Sequence, residues 1–313
     1  MMTTNRVCVL GSSGFIGGHV SAELERRGVP WVGVDRSSDG SKRTYAIRID
    51  ETDRIVELLD DYPIVINAMG SFKPKDFTRD FKATMDEFWG AHQRHEAALN
   101  AAPVQKVVHV SSAGTVYGES PRCSGSIETD PLRPKSWYGK TKVIEERTVE
   151  SICTRNEIPF VIARVSNPYG KTSAASHGIV DVLLQHALTG LPFTAAFSDR
   201  ACRDFIYVHD LGRLLTRLAL EDCTGIVNVA SGESVSLDQL VTYVEERVEG
   251  FEVQRRPYED NARDVVRSIV SNNKLRTMFN ISALRSLFDY LESCLSGVTQ
   301  TGSTARSKDH EAT

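Results

Sequence analysis

The stretch VCVLGSSGFIGGHV, residues 7–20, joins a short apolar run to a segment rich in glycine. The run VCVL contains no charged residue, which is typical of a strand buried on both faces of a sheet. Gly11, Gly14 and Gly17 follow it, and FIGGHVSAELERRG then has the pattern of an amphipathic helix. Glycine permits tight turns and close approaches between backbones. The stretch therefore predicts a strand, a tight turn and a helix in succession.

The same alternation of strand and helix patterns continues to about residue 166. The further apolar runs are WVGVD, TYAIRID, PIVINA, KVVHVSS and PFVIARVS. Helical patterns separate most of them, and one continuous helix is predicted over residues 76–102. Apolar strands that alternate with helices indicate a parallel sheet covered on both faces. We therefore predict an α/β fold with a doubly wound parallel sheet of the Rossmann type.

The glycine spacing between a strand and a helix is also the pattern of a dinucleotide-binding turn. Gly11 permits the turn, Gly14 lets the backbone approach a pyrophosphate, and Gly17 lets the helix pack on the strand. Asp35 closes the second strand, where a carboxylate accepts the hydroxyls of an adenosine ribose and repels a 2′-phosphate. NAD is therefore predicted as the cofactor. Arg36 can stack on adenine or pair with such a phosphate, so NADP stays open as the less favoured alternative.

Beyond residue 166 the alternation becomes less regular. Residues 1–166 and about 201–229 are predicted to form the dinucleotide-binding domain. Residues of about 167–200 and 230–295 are predicted to form a smaller C-terminal α/β lobe that holds the substrate. Residues 296–313 are small and polar, so we predict a disordered tail there.

Composition excludes several other classes of partner. A net charge of −4 gives no overall basic field for nucleic acid or an anionic membrane. No apolar run approaches the ~20 residues of a membrane span, and the N-terminus lacks a signal-peptide pattern. The six cysteines are scattered without a CxxC pair, so a cytoplasmic protein with reduced thiols is predicted. His92 and His95 share a helical face without further ligands nearby in sequence, so no metal site is predicted.

Tyr138 and Lys142 stand four residues apart at the start of a predicted helix. Residues at this spacing share one helical face, so the phenol and the ammonium point the same way. A free tyrosine titrates near ~10, and a neighbouring cation stabilises its phenolate. Such a tyrosine can exchange a proton with a substrate hydroxyl while hydride moves to or from a cofactor.

Several motifs in a fixed order make the chain resemble the extended short-chain dehydrogenase/reductase family, and within it the nucleotide-sugar epimerases and dehydratases. The motifs are GSSGFIGGHV, VGVD, RIDETD, SSAGTVYG, YGKTK, RVSNPYG, RDFIYVHD and NVASG. The resemblance extends from about Arg6 to about Phe279. It implies NAD as cofactor, a nucleotide-diphosphate sugar as substrate, and a homodimer formed through a four-helix bundle.

The resemblance also implies roles for individual residues at the cofactor. Phe15 and Ile16 would offer backbone N–H groups to the pyrophosphate, and the Asp50 carboxylate would contact the adenine. Ala68, Met69 and Gly70 would pass close to the ribose, and Pro168 would lie near the nicotinamide amide. Tyr138 would be the proton acceptor, and Lys142 its partner and a ligand of the nicotinamide ribose.

On the substrate side, the resemblance implies that Asn167 lies near the diphosphate and that Arg203 pairs with it. A guanidinium suits phosphate because it donates two parallel hydrogen bonds. A second arginine contact is expected from Arg263 or Arg267, and we take Arg263 as the candidate. His209 is a further candidate for a hydrogen bond to the substrate.

The hydroxyl that assists the tyrosine departs from the usual pattern. Its usual position in relatives is Ala113 here. The hydroxyls nearby belong to Ser111, Ser112 and Thr115. We predict that Ser112 or Thr115 is the catalytic hydroxyl, and we favour Thr115 for its reach to the sugar.

Three reactions share such a site. A 4,6-dehydratase also needs an acid pair just before VYG, where this chain has Ala113 and Gly114. We therefore predict an NAD-dependent nucleotide-sugar epimerase that inverts C4 of a UDP-hexose or UDP-N-acetylhexosamine through a transient 4-keto sugar. The alternative is a nucleotide-sugar 4-keto-reductase or dehydrogenase. A non-catalytic dinucleotide-binding sensor is the minor alternative, because such proteins usually lose the tyrosine or the lysine.

Overall fold

A computed structural model of the chain describes residues 5–35, 44–47, 51–70, 72, 74–170, 178–259, 264–281 and 283–296. Three predicted site residues, Arg36, Asp50 and Arg263, lie outside these ranges, as does the predicted tail from residue 297 onward. In the described part of the chain, every helix is too short or too polar to cross a membrane.

The strands of the described ranges are β1 (Val7–Leu10), β2 (Trp31–Asp35), β3 (Thr44–Ala46), β4 (Ile64–Asn67), β5 (Lys106–Ser112), β6 (Phe160–Val165), β7 (Asn167–Tyr169), β8 (Phe193–Ala195), β9 (Cys202–Tyr207), β10 (Gly225–Val229), β11 (Ser234–Ser236), β12 (Val253–Arg255) and β13 (Arg267–Ser268). The helices are α1 (Phe15–Arg26), α2 (Thr52–Asp61), α3 (Pro74–Arg79), α4 (Phe81–Ala101), α5 (Ala113–Val116), α6 (Trp137–Arg155), α7 (Gly178–Thr189), α8 (Val208–Leu220), α9 (Leu237–Glu245), α10 (Asn273–Phe279) and α11 (Leu287–Leu295).

The main sheet has the strand order β10-β6-β5-β4-β1-β2-β3, and every strand pair in it is parallel. The order reverses between β1 and β4, which is the switch point of a doubly wound sheet. The predicted fold class is therefore confirmed. Ligands bind at such a point, beyond the carboxyl ends of the strands.

Both faces of the main sheet are buried, which explains why its strands are apolar throughout. Val7 and Val9 of β1 belong to a core formed with α1, α8 and α10. Cys8 and Leu10 belong to the opposite core, formed with α2, α4 and α6. Successive side chains of a strand point to opposite faces, so a strand covered on both sides needs apolar residues at every position.

A smaller sheet lies beside the main one. Its strands follow the order β11-β9-β13, with β7 also paired to β9. We expected β9 in the first domain and α10 in the second lobe, but β9 belongs to the small sheet and α10 packs on the main core. β9 of the small sheet leads directly into α8, and the apolar face of α8 covers the main sheet. The chain therefore crosses from the small sheet to the main one at this junction.

The predicted continuous helix over residues 76–102 is wrong at one point. The chain forms α3 and α4, separated at Asp80. The Asp80 side chain accepts a hydrogen bond from the Ala83 backbone N–H at 3.0 Å. This contact caps α4, and aspartate is among the residues preferred at such a position.

Asp204 of β9 joins the small sheet to the main one. Its carboxylate accepts hydrogen bonds from the backbone N–H groups of Ser231 at 3.0 Å and Gly232 at 2.7 Å. Both of these residues follow β10, and the Asp204 side chain is fully buried. Burial raises the pKa of Asp204 to about 6, and the hydrogen bonds act in the opposite direction.

Asp204→Asn should lower the free energy of unfolding by about 1–3 kcal/mol, the cost of leaving a buried polar group unsatisfied. The new amide would place its own N–H group against a backbone N–H that now donates to the carboxylate. Urea unfolding at pH 8 measures the change. Asp222→Asn, at an exposed position, is the control and should change the value by less than about 0.5 kcal/mol. Equal stability of the two variants would contradict the role of Asp204.

Candidate active site

The glycine turn forms a tight cradle at the switch point. Gly11 has a φ of +80°, in the left-handed region that favours glycine. A Cβ atom at Gly17 would lie 2.0 Å from the Gly11 carbonyl oxygen, so helix α1 rests directly on the turn. Gly14 precedes the first turn of α1, which contains the predicted contacts Phe15 and Ile16. The first N–H groups of a helix have no partner within the helix, so they can face an anion.

A fourth glycine of the cradle was missed by the sequence analysis. A Cβ atom at Gly33, within β2, would lie 2.1 Å from Ser12 Oγ in the turn. The available signal was a glycine inside a strand pattern, which often marks a close approach of another backbone.

Asp35 is fixed at the mouth of this cradle. Its Oδ2 accepts hydrogen bonds from the Ser13 backbone N–H at 2.6 Å and from Ser12 Oγ at 3.1 Å. The carboxylate and the turn border a cleft of about 280 Å³. Predicted residues that line this cleft are Gly11, Gly14, Asp35, Ala68, Met69 and Gly70. A cradle that any Cβ would fill, beside a helix N-terminus, fits the pyrophosphate and ribose of a dinucleotide.

Tyr138 and Lys142 lie in the first turns of α6. The helix is capped by Ser136, whose Oγ accepts a hydrogen bond from the Gly139 backbone N–H at 3.1 Å. Lys142 is buried, and its Nζ donates a hydrogen bond to Glu145 Oε2 at 2.7 Å. Burial acts to lower the pKa of Lys142, but the negative charge of Glu145 and the nearby Tyr138 outweigh it and raise the pKa. The lysine is therefore a stable cation near the tyrosine.

The three candidate hydroxyls have different surroundings. Ser111 Oγ donates a hydrogen bond to Glu146 Oε1 at 2.5 Å, and Glu146 pairs with Arg164 at 2.8 Å. All three of these side chains are buried. Ser112 is half-buried, and so is Thr115, whose Oγ1 donates to the Ser112 carbonyl at 3.2 Å. Ser111 is thus held in a buried ion-pair network, while the other two hydroxyls are more accessible.

Thr115 is adjacent to the start of α6. A Cβ atom at Gly139 would lie 2.7 Å from the Thr115 carbonyl oxygen, so the two backbones touch. Gly139 follows Tyr138 directly, which places Thr115 at the same end of α6 as the tyrosine.

A cluster of polar side chains around Glu145, the ion-pair partner of Lys142, was not predicted from the sequence. Glu145 Oε2 lies 3.4 Å from His109 Nε2 of β5. Asn67 Nδ2 donates to His109 Nδ1 at 3.4 Å and to His95 Nε2 at 3.2 Å. Burial, and secondarily His109, lowers the pKa of His95 to about 3, so this ring is neutral. Only the spacing of Glu145 from Lys142 was visible in sequence, since the other members come from three separate elements.

The predicted substrate residues Asn167 and Arg203 line a second cavity of about 250 Å³, together with Pro168, which was predicted to lie near the nicotinamide. Asn167 Nδ2 donates a hydrogen bond to the Asp204 carbonyl at 2.8 Å. A Cβ atom at Gly114 would lie 3.6 Å from Asn167 Oδ1, so the segment after β5 borders the same region.

The Arg203 guanidinium contacts backbone in this structure. It donates hydrogen bonds to the carbonyls of Val265 and Val266, each at 2.6 Å, and to that of Cys202 at 2.9 Å. Burial lowers the pKa of Arg203. Arg203 therefore holds the segment that leads into β13 against the cavity.

His209 lies apart from Asn167 and Arg203. Its ring stacks on Tyr207 with centroids 5.0 Å apart and meets His19 of α1 edge-on at 4.4 Å. Burial and His19 both lower the pKa of His209. The structure therefore places His209 between α8 and α1, and it is not among the described residues that line the cavity with Asn167 and Arg203.

The doubly wound sheet and the glycine cradle at its switch point define a dinucleotide-binding protein of the Rossmann class. Residues 7–230 match the NAD dependent epimerase/dehydratase family. The chain belongs to this family, and its cofactor is NAD. The predicted family and cofactor are thereby confirmed.

Similar proteins in the family carry out more than one reaction. The chain is 31% identical over 293 residues to the UDP-glucose 4-epimerase of Azospirillum brasilense, covering 80% of this chain and 81% of that protein. It is 27% identical over 290 residues to the dTDP-4-dehydro-6-deoxyglucose reductase of Escherichia coli, covering 85% and 89%. The structure of the Thermus thermophilus UDP-glucose 4-epimerase in complex with NAD superposes with a TM-score of 0.81 at 24% identity, covering 93% and 98%.

Proposed function

We propose that this protein is a nucleotide-sugar 4-epimerase that acts on a UDP-hexose or UDP-N-acetylhexosamine. The observation that carries the proposal is Tyr138 beside the buried Lys142 cation in the first turns of α6. A phenol next to a fixed cation is a competent proton acceptor.

NAD would be held in the cleft that Gly11, Gly14 and Asp35 line, and when bound it would supply the hydride acceptor and donor for the sugar C4. Tyr138 takes the proton of the C4 hydroxyl as the hydride leaves, and gives it back to the oxygen of the 4-keto sugar. The Lys142 ammonium stabilises the phenolate through both steps. Thr115, or Ser112 in its place, holds the reacting oxygen by a hydrogen bond.

Two observations support epimerisation over elimination of water. Ala113 and Gly114 carry no carboxyl group, and the Ala113 side chain is buried, so neither position supplies the acid that elimination needs. A 4-keto-reductase is the second candidate, favoured by the similarity to the Escherichia coli reductase.

The test is a panel of UDP-, GDP- and dTDP-sugars incubated with the purified protein without added cofactor. Chromatography should detect the C4 epimer of a UDP-sugar and no net change in NADH absorbance. In a separate incubation with added NADH and a 4-keto sugar, stoichiometric NADH consumption without epimer formation would favour the reductase. Inertness with every sugar, despite NAD binding, would favour a sensor.

Arg203 is proposed to orient the substrate diphosphate together with Asn167 and with Arg263 or Arg267. Arg203→Ala should raise KM by about tenfold or more, since a charge-assisted hydrogen bond contributes about 1.5–3 kcal/mol. It should lower kcat less. Initial rates against substrate concentration measure both values, and thermal unfolding reports the separate loss of the contacts to Val265 and Val266. Arg200→Ala removes an exposed arginine nearby and is the control. An unchanged KM in the Arg203 variant would show that the diphosphate assignment is wrong.

We propose that the negative charge of Glu145 weakens the positive field that Lys142 exerts on the phenol of Tyr138. Burial alone would raise the pKa of Glu145, but Lys142 and His109 lower it to about 2, so the carboxylate stays charged at every working pH. Glu145→Gln removes this negative charge and strengthens the positive field at the phenol. The acid limb of the kcat–pH profile should therefore move to lower pH. Glu150→Gln, further along α6 and paired with Arg147, should leave it in place. A shift to higher pH, or none, would contradict the proposal.

A cytoplasmic homodimer through α4 and α6 remains our proposal for the assembly. These helices pack side by side, and their outer surface carries a groove that includes the half-buried Val143 and Ile144. Phe81 of α4 and Trp137 of α6 are exposed and lie with ring centroids 4.9 Å apart. Pairing two copies would bury these apolar groups in a four-helix bundle. Light scattering during size-exclusion chromatography measures the mass directly.

A further inference from the structure

Arg94 of α4 lies in the cofactor cleft and has no hydrogen-bonding or ion-pair partner among the described residues. It lines the cleft together with Gly11, Gly14 and Asp35. Its Nε is buried and has no hydrogen-bonding partner, and no ion pair of Arg94 is found within the described ranges. Buried polar groups in proteins are normally paired, because an unsatisfied donor is costly. An unpaired guanidinium that lines a ligand cleft therefore points to an anionic ligand.

Gly90 makes room for this guanidinium. A Cβ atom at Gly90 would lie 3.1 Å from Arg94 Nη1 and 3.4 Å from Nη2. The arginine side chain therefore folds back by one turn along α4 and lies over the glycine, as expected for residues at i and i+4. The pair Gly90–Arg94 thus directs a planar cation along the wall of the cleft.

The other charged groups of the cleft do not neutralise Arg94. Asp35 is engaged by Ser12 and Ser13. Glu87 lines the cleft but is exposed and forms no ion pair with Arg94. His95, with its low pKa, is neutral. Among the described residues that line the cleft, Arg94 is accordingly the sole permanent cation.

We propose that Arg94 binds the pyrophosphate of the dinucleotide. A guanidinium donates two parallel hydrogen bonds to phosphate oxygens and remains charged at every working pH. The pyrophosphate is favoured over a 2′-phosphate, because Arg94 shares the cleft with the glycine turn while the fixed Asp35 carboxylate repels a phosphate on the ribose. This role rests on the cofactor of the proposed function, but not on the identity of the sugar.

Titration of the full-length protein with NADH, NADPH and ADP, followed by calorimetry, tests the assignment. Arg94→Ala should raise the Kd for NADH and for ADP by about tenfold or more, the effect of losing a charge-assisted contact. Lys82→Ala is the matched control, because it removes an exposed cation from the same helix, and it should leave both values unchanged. Weaker binding of NADPH alone would overturn the pyrophosphate assignment, and unchanged binding of all three ligands would overturn the inference.

Gly90→Ala separates binding from folding. Alanine favours a helix interior over glycine by up to about 1 kcal/mol, so this variant should unfold at the wild-type temperature or above it. Its new methyl group would lie 3.1 Å from Nη1 and shift the guanidinium by a few tenths of an ångström, so NADH should bind about two- to threefold more weakly. A purely structural role for Arg94 predicts unchanged NADH binding in this variant, and that result would overturn the inference.

The proposed function and the role of Arg94 can be disproved separately. A wild-type protein that binds no dinucleotide would contradict the proposed function itself. A wild-type protein that binds NADH only as tightly as Arg94→Ala does would contradict only the role of Arg94.

Discussion

Tyr138→Phe is expected to fold and to bind NAD as the wild type does, yet to lose turnover by about 10²- to 10⁴-fold, the usual contribution of general acid–base catalysis. The substitution removes one oxygen, which in the proposed mechanism accepts and returns the proton of the sugar hydroxyl. The ring, the helix cap at Ser136 and the Lys142–Glu145 ion pair all remain in place. The loss should therefore appear in kcat, with little change in KM.

Single-turnover and steady-state rates with the substrate identified by the sugar panel measure this loss, and NADH titration verifies that the cofactor site is intact. Tyr243→Phe is the control, because its hydroxyl donates to Glu292 on the far lobe. It should retain wild-type kcat. A Tyr138 variant with nearly normal turnover would mean that another group moves the proton, and the proposed mechanism would have to be abandoned.

The second large effect is expected from Gly17→Ala. The added methyl group would lie 2.0 Å from the carbonyl oxygen of Gly11 and 2.7 Å from its carbon, and both are backbone atoms of the dinucleotide turn. Relief requires helix α1 to move away from the sheet, or the turn to deform. We expect a loss of about 3 kcal/mol in unfolding free energy, at the upper end of overpacking effects. We also expect NADH affinity to fall by more than about 100-fold, since the backbone N–H groups would no longer converge.

Gly18→Ala offers a control one residue away. Its added Cβ would have the Ser12 carbonyl oxygen at 3.6 Å as its nearest neighbour, which is ordinary contact. The variant should be neutral, or stabilised by up to about 1 kcal/mol through helix propensity. Urea unfolding and NADH titration of both variants make the comparison. If both alanines behaved alike, the close packing of α1 on the turn would be refuted.

Local sequence patterns predicted the first half of the fold correctly because neighbouring residues carry the information. The apolar run of β1, the glycine turn and the start of α1 occupy consecutive positions, and their conformations depend on local sterics and on burial of both faces of a strand. The break at Asp80 belongs to the same class. Its signal is the capping aspartate, which stands directly before α4 in the sequence.

The sequence by itself determined the strand–turn–helix unit, the placement of Tyr138 and Lys142 on one face of a helix, and membership of a dinucleotide-binding class, since each depends on residues close together along the chain. Tertiary structure alone decided that β9 joins the small sheet, that Glu146 engages Ser111, and that the Arg203 guanidinium binds backbone carbonyls. The contacts of Gly33, His109 and Arg94 belong with these, because each joins side chains or backbone from separate elements. Local propensity carries no information about such pairings, which depend on how the sheet and its covering helices pack.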